Sequence, residues 1–585
     1  MEEKMLNVKI NGIETTVPYG TRIIDAARKV GIEVPTLCFL KDMNEIGACR
    51  FCLVEVKGAR GPVPACVYPI ERDGTEIFTN TEKIRKARKT TLELILSTHD
   101  RKCLSCVRSG DCELQKYCKE YGVDDESCFD GWTPKYELDT SAPHMIRDNN
   151  KCILCRRCVA ACDNQAISVI GANARGIDTH ISSAFELDLG QTSCVSCGQC
   201  IVACPTGALY EKDDTAKVFE AINDPTKHVV VQTAPSIRAT LGECFGMPVG
   251  SLVTGKMVAA LRRLGFDKVF DTDFGADLTI MEEATELVSR VTNGGVLPMI
   301  TSCSPGWVKY CEHYYPDQLA HLSTCKSPQQ MQGAVIKTYY AQKMGIDPKD
   351  IVSVSIMPCT AKKFEVGRDD QNAAGVADVD YALTTRELGR MIKTAGINFD
   401  LLPDEDFDAP LGEGTGAGVI FGATGGVMEA ALRTAVKFIT GKEAPSLDFH
   451  DVRGMEGVKE ASYKVGDLDV KVAVASGTKN AKIIMDKIKK GEADYTFVEI
   501  MCCPGGCING GGQPIQHASV RNFTDLKALR ASALYRDDSS KAVRVSHGSS
   551  DIKRVYDEFF GEPGSHKAHE ALHTSYVARP MFKKD

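Results

Sequence analysis

Cys503-Pro504-Gly505-Gly506-Cys507-Ile508-Asn509-Gly510-Gly511-Gly512-Gln513-Pro514 is the stretch on which the reading of this chain turns. Cys503 and Cys507 flank a Pro-Gly-Gly bend, and a run of glycines follows almost at once. Two thiolates so placed can hold one face of an iron cluster, and glycine lets main chain approach inorganic sulfur with no Cβ in the way. A C-x3-C pair also occurs in zinc sites and in ordinary cores, so the turn has to be read with the rest of the cysteines.

The chain has 585 residues, more than one hydrophobic core holds, and three or more units are expected. An apolar fraction of 43%, a charged fraction of 25% and a net charge of -8 lack the basic excess of a nucleic-acid binder. A mildly acidic surface suits a partner that presents lysines. No run of about 18 apolar residues occurs, so no membrane span is expected. The 25 cysteines lie mostly between Cys38 and Cys204, many in C-x2-C units. The N-terminus has no apolar signal segment and no twin-arginine stretch, which makes disulfides the weaker reading and an oxygen-poor cytoplasm the expected setting.

Two further stretches share the character of the first: Thr301-Ser302-Cys303-Ser304-Pro305-Gly306-Trp307, and Met357-Pro358-Cys359-Thr360-Ala361-Lys362-Lys363-Phe364-Glu365. With Glu499-Ile500-Met501-Cys502-Cys503-Pro504-Gly505-Gly506-Cys507 they resemble the three signature motifs of the iron-iron (FeFe) hydrogenases. The likeness covers nearly the whole chain, and the fold class it implies is α+β and α/β multidomain.

Residues 1–80 are expected to form a 2Fe-2S ferredoxin-like domain. Leu6, Val8 and Ile10, then Thr15 and Val17, read as a hairpin about Asn11-Gly12, and Ile23 to Val30 has helical spacing. Cys38, Cys49, Cys52 and Cys66 look like the plant-type 2Fe-2S pattern with altered loops; a zinc ribbon would carry two C-x2-C pairs. Residues 81–130 begin with a basic amphipathic helix over 82–96. They continue to His99, Cys103, Cys106 and Cys112, a set that resembles the His-ligated 4Fe-4S site of multicluster hydrogenases and of respiratory complex I. Cys118 and Cys128 fall in no such spacing and read as structural thiols.

Residues 131–212 start with a polar connector over 130–148. The run Cys152, Cys155, Cys158, Cys162 is then repeated as Cys194, Cys197, Cys200, Cys204, the duplication of a bacterial two-cluster ferredoxin. The fourth cysteine of each run should join the other set, giving Cys152, Cys155, Cys158 with Cys204, and Cys194, Cys197, Cys200 with Cys162. From 213 to 585, apolar β-branched runs at 228–234, 268–273, 296–302, 351–358 and 470–476 alternate with helical stretches at 253–264, 278–292, 326–344 and 425–438. That alternation predicts a parallel sheet covered on both faces, with chemistry at strand ends.

No side chain activates H2 at a useful rate, so a cofactor must carry that chemistry. The resemblance implies an H-cluster, a 4Fe-4S cubane joined by one cysteine sulfur to a di-iron azadithiolate unit bearing CO and CN. It places Cys359, Cys503 and Cys507 on the cubane, with Cys507 bridging. Family members carry two adjacent cysteines where this chain has Cys303 and Ser304, and two arrangements stay open. Ser304 ligates as an alkoxide while Cys303 relays protons, or Cys303 ligates and Ser304 relays. Pocket positions are Pro235, Ser236, Gln329, Met357, Lys362, Phe421, Gly422 and Met501, with Lys362 offsetting cluster charge. Glu283, Glu286, Arg290 and Ser323 fall on the family's proton path.

The activity implied is reversible proton reduction to H2, fed through one 2Fe-2S and three accessory 4Fe-4S clusters. The partners implied are ferredoxin, a flavin NAD(P)-binding subunit, a small 2Fe-2S subunit and H-cluster maturation proteins. No GxGxxG fold is recognised, so nucleotide chemistry belongs to another subunit. A sensory H-cluster protein of low turnover and a non-catalytic iron-sulfur assembly protein are the alternatives. The third motif, complete with Cys507, argues against the second.

Overall fold

The computed structural model describes residues 4–124, 129, 132–466 and 468–583. Cys128 lies outside the described residues. Strands Met5–Ile10 and Ile13–Pro18 form the expected hairpin, with Asn11 and Gly12 both left-handed (φ 50° and 86°), as a two-residue turn between twisted strands requires. Met5–Ile10 also pairs in parallel with Thr75–Phe78 in a five-stranded sheet. Helix Ile23–Lys29 closes the core over Leu6, Val8, Ile10 and Val17.

Helix Glu82–Leu96 is capped by the Thr81 side chain, which accepts from Ile84 N–H. Its residues Ile84, Arg88, Leu92 and Leu96, four apart, are buried; Leu92 and Leu96 pack with Leu114, Tyr117 and Cys118 of helix Glu113–Tyr121. Cys118 is thus a core thiol. The duplicated cysteine runs fold as a repeat: Leu154 and Arg156 in the first and Ser196 and Gly198 in the second are all left-handed. The same backbone bend therefore precedes helices Arg157–Asp163 and Gln199–Ala203. The stretch expected as a polar connector contains a strand, Met145–Arg147, paired with Leu209–Glu211, because Met145 and His144 have a core to enter.

The large unit holds two four-stranded sheets in place of the single one expected. In the first, Lys268–Asp271, His228–Thr233, Ile351–Met357 and Tyr381–Thr384 are all parallel. In the second, Met299–Ile300, Phe497–Met501 and Leu468–Ser476 are parallel, and Val458–Val465 returns antiparallel at the edge. Helix Thr272–Asn293 is 22 residues long and buried from Thr272 to Ile280, extending well beyond the 278–292 pattern. Met357, Met501 and Thr233 are the last residues of their strands, and Ile300 the last of a fourth. All three signature motifs therefore leave the C-terminal ends of parallel strands.

Candidate active site

The motif loops meet around a cavity lined among others by Cys303, Ser304, Cys359, Cys502, Cys503 and Cys507. Pro235, Ser236, Gln329, Met357, Lys362, Phe421, Gly422 and Met501 line it too, so every pocket position expected from the sequence is brought there. Ser304 is the N-cap of helix Pro305–Tyr314, and its Oγ accepts from Cys502 N–H at 3.2 Å. Lys362 is not a free ammonium. It donates to Glu365 and Ser327, both at 2.8 Å, and lies 3.4 Å from the Cys303 carbonyl. The lysine and glutamate of the second motif are thus one buried pair, with the Gln329 amide on the same carboxylate at 2.9 Å.

The glycines after Cys507 also let protein segments approach one another, while Gly510 itself lines the cavity. A Cβ on Gly510 would come within 2.2 Å of the Pro358 carbonyl, and one on Gly511 within 2.2 Å of the Cys197 carbonyl. They let main chain pack on the second motif and on the accessory-cysteine loop. Gly505 and Gly506 are left-handed (φ 87° and 94°), as the bend between Cys503 and Cys507 demands. Sequence reasoning missed three residues here. Gln513 holds the Cys507 carbonyl at 3.1 Å and the Ser236 hydroxyl at 3.2 Å. Glu499, within the third motif, accepts Gly425 and Met428 N–H groups, both at 2.7 Å, and fixes the start of helix Gly426–Thr440. Cys502 was passed over between Met501 and Cys503.

Glu283 is buried among Cys303, Ser302 and Ser323, and desolvation pushes its carboxyl up to about 8. Burial likewise raises the Cys303 thiol well above its ordinary value, so it is held as S–H. Ser323 Oγ donates to Glu286 at 3.3 Å, and Arg290 clamps Glu286 at 2.6 Å. The four residues predicted on one route thus lie between the cavity and the half-buried Glu286–Arg290 pair, with both Glu283 oxygens buried and making no hydrogen bond.

Three of the accessory cysteine sets gather as the sequence pairs them. Cys52 and Cys66 sulfurs are 3.3 Å apart, and Cys38 contacts Cys49 and Cys66. Cys152, Cys155, Cys158 and Cys204 line one cavity; Cys162, Cys194, Cys197 and Cys200 line another. Asn44 donates to both the Cys38 and Cys155 carbonyls, at 2.7 and 3.0 Å. On another side, Cys112 Sγ is 3.7 Å from the Pro205 carbonyl, and a Cβ on Gly207 would fall 2.6 Å from Cys106 Sγ. Both N-terminal cysteine sets thus abut the set of Cys152 and Cys204. The two sets converge on it, with Cys49 and Cys112 packed against one shared hydrophobic cluster.

Donor chemistry tests whether iron-sulfur groups suit these places. No disulfide forms among the described residues, although thiols crowd together. The His99 Nδ1 is buried without a hydrogen-bond partner, and burial lowers the imidazole to about 4, leaving a neutral nitrogen ready to ligate. His144, fully buried against the Cys194 and Cys200 cavity, leaves both ring nitrogens unpartnered, which suits a sulfur-rich acceptor there. The residues fit the groups.

Comparison with known proteins agrees. The profile of the iron only hydrogenase large subunit, C-terminal domain, matches residues 227–511, and that of the iron hydrogenase small subunit matches 524–579. The 2Fe-2S iron-sulfur cluster binding domain matches 3–82, and the 4Fe-4S dicluster domain 151–208. The NADH-ubiquinone oxidoreductase-G iron-sulfur binding region matches 88–127. The NADP-reducing hydrogenase subunit HndD of Solidesulfovibrio fructosivorans is 48% identical over 98% of this chain and 99% of its own length. Iron hydrogenase 1 of Clostridium pasteurianum is 44% identical over 98% of this chain and 100% of its own. A solved [FeFe]-hydrogenase, HydA(deltaEFG), from work on stepwise H-cluster assembly, superposes with a TM-score of 0.56 at 44% identity, covering 63% of this chain and 99% of that one. A cavity built by all three motif loops, reached through iron-sulfur domains and matched along the whole chain, makes this protein a member of the FeFe hydrogenases, an oxidoreductase acting on H2.

Proposed function

We propose that this chain is the catalytic subunit of an NAD(P)-linked, ferredoxin-coupled FeFe hydrogenase that interconverts protons and H2. The observation that carries the reading is the convergence of Cys303, Cys359, Cys503, Cys507 and Lys362 on one largely apolar cavity, with Glu283 beside it. When bound there, the H-cluster supplies the splitting and joining of H2. Cys359, Cys503 and Cys507 would hold it, and Gln513 fixes the Cys507 carbonyl.

The chain's own residues then move the proton. Cys303 is a protonated thiol facing Cys507 and Glu283, and Glu283 is largely a neutral acid at pH 7, so each can pass a proton without holding a buried charge for long. Ser323 hands it on to Glu286, whose ion pair with Arg290 orients the carboxylate at the mouth. The Lys362–Glu365 pair positions the ammonium against the cavity wall, where it offsets thiolate charge. Cys38, Cys49, Cys52 and Cys66 would hold one 2Fe-2S cluster and the other accessory sets three 4Fe-4S clusters, which would supply electron transfer to the cavity. Clusters at the His99 and Cys38 sets would give two entries that join at the Cys152 set. Two entries suit two partners, ferredoxin and a flavin NAD(P)-binding subunit with its small 2Fe-2S companion. Residues 1–80, 81–130, 131–212 and 213–585 are the corresponding units, and the cytoplasm is the setting. No helix among the described residues is long and apolar enough to cross a membrane.

Infrared spectra of protein matured with its di-iron unit test the proposal. CO and CN bands are expected, and their absence from fully matured protein overturns it.

A further inference from the structure

We propose that Cys502 supplies the fourth thiolate of the cubane, and that Ser304 holds the main chain presenting it. The proposal rests on the FeFe reading of the site and settles the open Cys303/Ser304 question by naming a third residue.

The thiols around the cavity divide into two sides. Cys303 faces Cys507, Glu283, Glu499 and Lys362, the side of the bridge and of the proton route. Cys502 lies opposite, its thiol within hydrogen-bonding reach of Cys503 and of Cys197 in the accessory set. Ser304, the family's ligand position, is on this second side as well, but its oxygen is already the acceptor for Cys502 N–H. An alcohol is a hard donor that gives up its proton far less readily than a thiol, so beside Ser304 the iron has a softer and more acidic alternative.

Local geometry lets that alternative work. The strand Phe497–Met501 ends just before Cys502, so the opposite-facing alternation of a strand no longer separates Cys502 from Cys503. Left-handed Gly505 and Gly506 then turn the chain back round the cavity. The Cys502 peptide is pinned at both ends, by Ser304 on its N–H and by the Gln165 amide on its carbonyl at 2.7 Å, which leaves its side-chain torsion as the free variable. Gly306 leaves room for the sulfur: a Cβ there would come within 2.7 Å of Cys502 Sγ. A cubane held by Cys502 is also one sulfur contact from Cys197, a direct step for electrons from the accessory cluster.

The full chain produced without di-iron maturation is the material for the test, since there the cubane can be followed without turnover. Iron and sulfide analysis with EPR of the reduced protein compares wild type, Cys502→Ala, Cys502→Ser, Ser304→Ala and Cys303→Ala. Cys502→Ala is expected to lose about four irons and the cubane signal while the accessory signals persist. Ser304→Ala and Cys303→Ala keep both, and Cys502→Ser keeps a cubane with shifted g values. Full retention of the cubane in Cys502→Ala overturns the proposal, including the case where only the accessory-cluster potential moves, which would make Cys502 a hydrogen-bond donor to Cys197. Loss of the cubane in Ser304→Ala overturns it as well. A wild-type chain that binds no cubane at all would instead defeat the FeFe reading of the site, so the two failures are distinct.

Discussion

Glu283 sits on the inner face of helix Thr272–Asn293, where desolvation lifts its carboxyl from the ordinary 4.5 to about 8. A carboxyl raised on folding binds a proton in the native state between those values, so its contribution to stability falls as pH rises through that window. Glu283→Gln keeps the shape and removes the titration. The variant is expected to gain stability relative to wild type at about pH 9 and to gain little at about pH 5, as denaturant unfolding at the two pH values would show. Its H2 turnover should drop by about 10²- to 10⁴-fold with cluster EPR unchanged, because one proton-transfer group is lost and no iron ligand is touched.

Short loops and turns, rather than long elements, place the donors. His99 follows directly on helix Glu82–Leu96, and its unpartnered Nδ1 is aimed by the end of that helix. His99→Ala should lose or alter one 4Fe-4S signal, slow electron entry from one external donor and leave the H-cluster infrared bands in place. An unchanged EPR spectrum would remove His99 from the ligand set. At Gly511 the main chain lies on the loop of Cys197 and Gly198, where a Cβ would fall 2.2 Å from one carbonyl and 2.6 Å from Gly198 Cα. Backbone cannot swing aside as a side chain does. Gly511→Ala is expected to cost about 1–3 kcal/mol or more, visible as a lower thermal midpoint, and to slow electron transfer from the accessory cluster to the cavity.

Across the whole molecule, the segment that matches the small-subunit profile staples the catalytic loop from outside. Arg530, on helix Leu526–Ser540, donates to the Ile508 carbonyl at 2.9 Å and pairs with the buried Glu243 at 2.7 Å. Arg530→Ala would leave the buried Glu243 carboxylate without its cation and held by the Gln516 amide at 2.7 Å, a loss of about 3–5 kcal/mol, and thermal unfolding should show it. The cavity spectrum should broaden as the Cys503–Cys507 turn loosens. By itself the sequence determined what local spacing carries: the Asn11-Gly12 hairpin, the helix 82–96, and the pairing of Cys152 with Cys204 and of Cys162 with Cys194; the pocket residues came from the family resemblance. The first three depend on neighbours a few residues apart or on a repeat whose two halves bend alike. The tertiary structure alone decided the split into two sheets, since 296–302 is apolar enough for a strand but only Met299–Ile300 finds a partner in Phe497–Met501. It alone showed that both N-terminal cysteine sets abut the Cys152 set, through Asn44 and Gly207, and that Cys502 faces Cys197 across 305 residues of sequence. Such contacts arise from which surfaces complement each other once the cores have packed, and no local pattern in the chain encodes that choice.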